Sequence, residues 1–258
     1  RKGVLVTAGS LIMGDTEEWG VYKGNPAKLI KKIDSSKILE NASKMGYKDF
    51  HLNGCFCDPL KKFTFIHIFK NASISIRDSL DMRGNYYNWD TAKHFENSKT
   101  ICVIRNPINR FISAYQYLLK LDDGGFPNRH PIERTKASEF YKNRKNPVES
   151  FYLFLNFIEK EGFYDAVTIP QTTFLRERSL LINDIDNVFI QNQLENDYND
   201  FREKYGIRTR LQKNNTGNSE ITKLLINLIE SDKGLKERIS KLYKSDMELY
   251  FKLTEREK

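Results

Sequence analysis

The chain has 258 residues, 39% of them hydrophobic and 12% aromatic, enough for one full-sized core with a small appendage beside it. No apolar run approaches the roughly 18 residues of a membrane helix and no charged, apolar, small-residue leader opens the chain, which argues against a membrane span and against export. A formal net charge of +8 favours anionic ligands (nucleotides, nucleic acid, acidic glycans, lipid head groups) without choosing between them.

Residues 1–33 alternate short β-branched stretches (Val4 to Val6, Leu11 to Ile12, Val21 to Tyr22) with glycine corners, the texture of stacked strands rather than of an amphipathic helix. The run Gly24, Asn25, Pro26, Ala27, Lys28 followed by Leu29 and Ile30 resembles the end of the hexapeptide-repeat acyltransferases, a left-handed β-helix family. That resemblance implies a short β-helix-like remnant carrying no chemistry of its own, with oligomer contacts belonging to an upstream part. The opening Arg1 is read as the start of a fragment.

Residues 34–61 read as a connector, with a short helix around Lys37 to Met45. Cys55, Cys57 and Cys102 lack the two-residue gap of a zinc or redox pair, so reduced thiols in a cytoplasmic protein are expected. From residue 62 to 258 the pattern becomes α/β. Strands are predicted at Phe63 to Phe69, Thr100 to Ile104, Ala166 to Ile169 and Val188 to Ile190. Helices follow the apolar sets Ile108, Phe111, Ile112, Tyr115, Leu118, Leu119; Phe151, Phe154, Leu155, Ile158; and Ile221, Leu224, Leu225, Leu228, with a last helix over Leu235 to Phe251. Such alternation predicts a P-loop-like three-layer sandwich, a mainly parallel sheet flanked by helices. The polar stretch Leu121 to Pro147 is long for a connection and reads as a lid or binding loop.

Two strand-to-helix junctions carry the chemistry, since open α/β sheets bind ligands at the carboxyl ends of their strands. In "FIHIFKNASIS" the strand breaks at Lys70, and the N–H groups of Asn71, Ala72, Ser73, Ile74 and Ser75 can surround an anion beside one ammonium and two hydroxyls. It lacks both G-x-x-x-x-G-K-[ST] and G-x-G-x-x-G, and a capped helix start reads equally well there. In "TICVIRNPINRFISAY", Arg105 ends a strand, Pro107 opens a helix, and Arg110 and Ser113 lie three residues apart on one face. Arg105 and Ser113 can grip a phosphate with a fork and a hydroxyl.

Together these segments resemble the paired signatures of the sulfotransferases that use 3′-phosphoadenosine 5′-phosphosulfate (PAPS), most nearly the carbohydrate branch (heparan-type and bacterial polysaccharide enzymes), which reads approximately "HIPKTAGTS" and "VRNPxxRxxSxY". Later segments agree in order: "IPQTTFL" from Ile169, "VFIQNQLENDYNDF" from Val188, "LQKNNTGN" from Leu211 and a terminal "LYKSDMELY". Phe69, Asn71 and Ser73 depart from the family's usual proline, threonine and glycine. The resemblance implies that Lys70 and the 71–75 backbone hold the 5′-phosphosulfate, that Arg105 and Ser113 hold the 3′-phosphate, and that Lys213, Asn215 and Thr216 close over the nucleotide. Arg110 is then a supporting residue. No metal is implied.

The reaction implied is in-line transfer of a sulfuryl group to a carbohydrate hydroxyl, with Lys70 stabilising the charge that grows on the bridging oxygen. His94, between the two motifs, is the favoured general base, with His130, His67, Asp90 and Glu96 as alternatives. Tyr86, Tyr87 and Trp89 could stack on sugar rings or pack in the core. The rivals are a non-catalytic polyanion or nucleic-acid binder, and a phosphotransferase, which would need a metal-binding carboxylate beside the first loop.

Overall fold

The structure, a computed structural model, describes residues 5–6, 20–32, 54–120, 145–163, 166–212 and 219–255. The chain divides into two compact units, Arg1–Tyr47 and Lys48–Lys258. The first holds β1 (Leu5–Val6), β2 (Gly20–Lys23) and β3 (Lys28–Lys32), with β1 parallel to β2 and β2 antiparallel to β3. Gly24 turns the hairpin with φ +106°, a left-handed conformation that side chains disfavour. Leu11, Ile12 and the helix expected around Lys37 to Met45 lie outside the described residues.

The second unit is built on a five-stranded mixed sheet of order β6-β4-β5-β7-β8. Its strands are β4 (Gly54–Cys57), β5 (Phe63–Ile66), β6 (Tyr86–Asn88), β7 (Lys99–Ile104) and β8 (Asn187–Ile190). β5, β7 and β8 run parallel, while β4 is antiparallel to both β5 and β6. The helices are α1 (Ser73–Ser79), α2 (Trp89–Ala92), α3 (Pro107–Lys120), α4 (Pro147–Glu161), α5 (Gln171–Arg176), α6 (Leu194–Tyr205), α7 (Ser219–Ser231), α8 (Lys233–Leu242) and α9 (Lys244–Thr254). This is the mostly parallel α/β core expected from the alternating pattern.

The two-residue period of the strands decides which helices lie where. Phe63, Phe65, Ile101 and Val103 face Ile76 of α1 and Tyr198 and Phe201 of α6. Ile66, Cys102 and Ile104 face Phe174 and Leu175 of α5 and Tyr250 of α9. A third cluster joins α3, α4, α7 and α8 through Phe111, Tyr115, Phe154, Leu225 and Ile239. Each such side chain, fully buried, contributes about 1.5–3 kcal/mol. Cys55, Cys57 and Cys102 are all buried, as read from the sequence.

Four details differ from the sequence reading. Ala166 to Ile169 is a buried turn, not a strand: the Thr168 carbonyl accepts from the Tyr243 hydroxyl at 2.5 Å and the Ile169 carbonyl from Arg110 at 2.7 Å, so distant side chains replace a neighbouring strand. β5 ends at Ile66 rather than Phe69. The expected terminal helix is broken at Tyr243 into α8 and α9. Finally, β4 and β6 form the margin of the sheet, β4 falling within the stretch read as connector. Gly54 leaves room there for the Tyr86 phenol, which a Cβ at this position would push aside.

Candidate anion site at the carboxyl ends of β5 and β7

Pairing of β5 with β7 stops three residues before β7 ends: the last pair is Phe65 with Ile101, yet β7 continues to Ile104 on its β8 side. Departure would strip main-chain groups of β7 of their partners, and buried groups of that kind are costly. Two side-chain amides take the place of the missing strand. Asn71 donates from Nδ2 to the Val103 carbonyl at 2.6 Å. Gln171 accepts at Oε1 from the Arg105 N–H at 3.1 Å and donates from Nε2 to the Arg105 carbonyl at 2.8 Å. The two amides also meet, Asn71 Nδ2 donating to Gln171 Oε1 at 2.8 Å. Both residues are wholly buried.

The loop so released runs from His67 to Ala72. Lys70 has φ +68° and Ala72 φ +55°, both left-handed, with Asn71 between them outside that region. Alternation of hand along consecutive residues turns successive N–H groups toward one side, the backbone pattern of anion nests. Ala72 precedes α1 and supplies no capping side chain. The Ser73 hydroxyl donates to the Ile68 carbonyl at 3.1 Å, closing the loop on itself, and Ser75 is buried two residues on. Ile74 points outward, 43% exposed. Lys70 extends over the Tyr117 ring of α3, its Nζ 4.3 Å from the ring centroid. Tyr117 stands four residues after Ser113 on α3, so the ring that Lys70 covers lies on the helix face that carries Ser113.

Two arginines hold this loop. Arg105 donates from Nη1 to the Lys70 carbonyl at 2.9 Å. Arg110, 1% exposed, donates from Nε to the Phe69 carbonyl at 3.0 Å and from Nη1 to the Ile169 carbonyl at 2.7 Å. Burial, with repulsion from Arg110 added, draws the Arg105 pKa down to about 10, which leaves it charged at neutral pH. Burial likewise lowers Arg110, opposed by the nearby Asp246 carboxylate. Asp246 itself fixes the start of α5, accepting from Gln171 N at 2.7 Å and from Thr172 N at 2.9 Å. The Asp246 pKa is raised by burial, against the pull of Arg110 and these N–H donors.

The structure therefore brings together Lys70, Asn71, Ala72, Ser73 and Arg105, with Ser75 inside α1 and Ser113 on α3 one turn before Tyr117. The Asn71 side chain turns to β7, leaving only its backbone for a ligand, and Arg110 is a buried clamp. His94 is exposed, and its neighbour Phe95 lies under Lys61 Nζ at 4.5 Å, in the turn that enters β5. Asp90 and Glu96 are exposed on the same excursion, Asp90 paired with Lys93 at 2.9 Å. His67 packs between Phe56 and Phe69, with ring centroids 5.2 and 4.3 Å away. Trp89 is core and Tyr87 packs on Phe95, leaving Tyr86 as the exposed aromatic of the three, at 47%. His130, Lys213, Asn215, Thr216 and most of the Leu121 to Pro147 stretch lie outside the described residues.

Sequence reasoning missed Gln171, Asp246 and Arg178. Arg178 is buried and donates to the carbonyls of Phe174 (2.5 Å) and Gly54 (2.6 Å), joining α5 to β4; burial draws its pKa down to about 10. The available signal was a polar residue at a position that the surrounding apolar period assigns to the core. Among the described residues no group of three or more His, Cys, Asp or Glu could hold a metal, and no helix is long and apolar enough to cross a membrane.

The adjacent parallel strands β5 and β7 thus lead, at one end of the sheet, into loops that carry Lys70 and Arg105, the place where open α/β sheets bind their ligands. The model of the sulfotransferase family matches residues 52–252, and the chain belongs to that family. No curated protein and no solved structure matches it. Membership supports sulfotransfer as the general activity.

Proposed function

We propose that the protein transfers the sulfuryl group of PAPS to a hydroxyl of a carbohydrate acceptor, within the modification of a bacterial surface glycan and in the cytoplasm. The observation that carries this reading is the contact of Arg105 with the Lys70 carbonyl, which joins the loop suited to a 5′-phosphosulfate to the loop suited to a 3′-phosphate. The donor set fits such a ligand: left-handed loop residues with N–H groups on one side, one ammonium, a buried serine at the start of α1, and a guanidinium with five N–H donors, of which Nη1 holds the loop.

PAPS, when bound, supplies the activated sulfuryl group. The protein's share is positioning and electrostatics. Lys70 stabilises charge as it develops on the oxygen that leaves with the nucleotide, an interaction stronger in the transition state than before it. Arg105 and Ser113 orient the far end of the nucleotide, with Lys213, Asn215 and Thr216 proposed to close over it. The acceptor approaches from the edge of the sheet where Tyr86 is exposed. The N-terminal unit, with its parallel β1–β2 pair and following hairpin, is proposed to be the tail of a former β-helix.

Calorimetric titration with adenosine 3′,5′-bisphosphate and with adenosine 5′-monophosphate tests the reading, on the wild type, Arg105→Ala and Ser113→Ala. Preference for the bisphosphate that both substitutions reduce supports it. Equal, weak, salt-sensitive binding of both nucleotides overturns it in favour of a polyanion binder.

A further inference from the structure

We propose that Gln171 is a positioning residue that locks the Lys70 loop and the Arg105 loop at one spacing, so that the two anionic ends of a nucleotide are gripped as one event. This rests on the nucleotide reading above and adds a residue that touches no ligand.

In a strand, the N–H and C=O of a residue point to the same side, and those of Val103 and Arg105 point toward β5 while Ile104 points toward β8, its carbonyl accepting from Gln191 N at 2.9 Å. β5 has already left. The Gln171 amide presents an acceptor and a donor side by side, as a neighbouring strand would, and engages both groups of Arg105. Its Oε1 takes a second bond from Asn71, the residue between the two left-handed positions of the loop. One side chain thus links the backbone of the second loop to the side chain of the first.

Gln171 is itself immobilised. Its N–H is held by Asp246 Oδ2, and Thr172 beside it gives Asp246 both its N–H and its hydroxyl, the latter at 2.8 Å. The carbonyl of Ile169, two residues earlier, is held by Arg110, which also holds Phe69 in the first loop. A ligand with two anionic ends gains from a second grip only if the grips are already at the right separation; otherwise the binding free energy of one end is spent on ordering the other. A leucine or methionine of similar length would fill the space and lose the spacing.

The test uses Gln171→Met, which preserves bulk, and Gln171→Glu, which keeps the acceptor atoms and loses the donor to the Arg105 carbonyl. Selectivity is read as the ratio of the dissociation constants of adenosine 5′-monophosphate and adenosine 3′,5′-bisphosphate, alongside hydrogen exchange of the Arg105 amide in the ligand-free protein. Gln171→Met is expected to lower the selectivity at least tenfold while weakening the monophosphate less than threefold, with Gln171→Glu between it and the wild type. The Arg105 amide is expected to exchange at least tenfold faster in Gln171→Met, with amides of α4 unchanged. Wild-type selectivity and wild-type exchange in a folded Gln171→Met overturn the proposal. If Gln171→Met does not fold, Gln171→Glu decides: intermediate selectivity supports the proposal and unchanged selectivity overturns it. If the wild type itself shows no preference for the bisphosphate, the nucleotide reading fails, and the exchange rates alone then decide whether Gln171 fixes the two loops.

Discussion

The guanidinium of Arg105 donates to the main-chain carbonyl of Lys70 at 2.9 Å, so the residue just after β7 holds the loop that follows β5. A lysine at 105 would keep the charge and lose the planar fork that serves loop and ligand together. Arg105→Lys is expected to weaken binding of adenosine 3′,5′-bisphosphate about tenfold and Arg105→Ala about a hundredfold, each tenfold step being about 1.4 kcal/mol. Titration calorimetry at fixed salt reads both.

Lys70 has a different signature. If it acts on charge that appears only during transfer, Lys70→Ala should lower kcat by about 10²–10³ while changing bisphosphate affinity much less. A transfer assay with labelled sulfur, run beside the titration, separates the two. Equal losses in both would make Lys70 a binding residue only.

Arg110 is a stability residue in this fold. Arg110→Met leaves the Phe69 and Ile169 carbonyls without their donor and the buried Asp246 without its cation, a loss expected to cost about 3 kcal/mol. Urea denaturation at neutral pH measures it, and a midpoint within error of the wild type would refute the clamp.

Two carboxylates give opposite pH dependence. Burial works against ionised Asp186, but the Thr100 N–H and hydroxyl and the Lys99 ammonium outweigh it and hold its pKa below the ordinary carboxylate range. Its contribution is present above that range and fades as pH falls through the lowered value. Asp186→Asn should therefore cost about 1 kcal/mol near pH 7, a figure kept small by solvent screening, and nothing once Asp186 is protonated. Asp246, with its pKa raised, contributes most below the ordinary carboxylate range, and that contribution is lost as pH rises through its raised value. Denaturation of Asp186→Asn and wild type across pH 2–7, a range chosen to span about two units below the ordinary carboxylate value, follows the first effect directly.

His94 is the general base that the family resemblance favours. His94→Ala is then expected to lower the transfer rate by about 10²–10⁴, the loss that removal of a general base brings. The same transfer assay reads it, and a change of less than about threefold would give the role to another group.

The two loops were legible because a β-branched run ending in Lys70, or in Arg105, meets helix-forming residues at once. β4 was not: four residues, two of them cysteine, carry too little pattern. Ala166 to Ile169 looked like a strand because burial alone makes a short run apolar; only Arg110 and Tyr243, far along the chain, reveal that its carbonyls serve side chains. The Gln171 network was hidden for the same reason. Its partners at Asn71, Arg105 and Asp246 are separated by long stretches of chain, and no local spacing announces them. Tyr243, where the terminal helix breaks, is likewise bonded to the remote Thr168 carbonyl.

Gly54 lies under the Tyr86 phenol at the outer margin of the sheet, where β6 is only three residues long. A single methyl group there would turn the half-exposed Tyr86 ring away from the place it holds against Phe56. A hydrogen atom at position 54 therefore sets where the outermost exposed aromatic ring of the sheet margin lies.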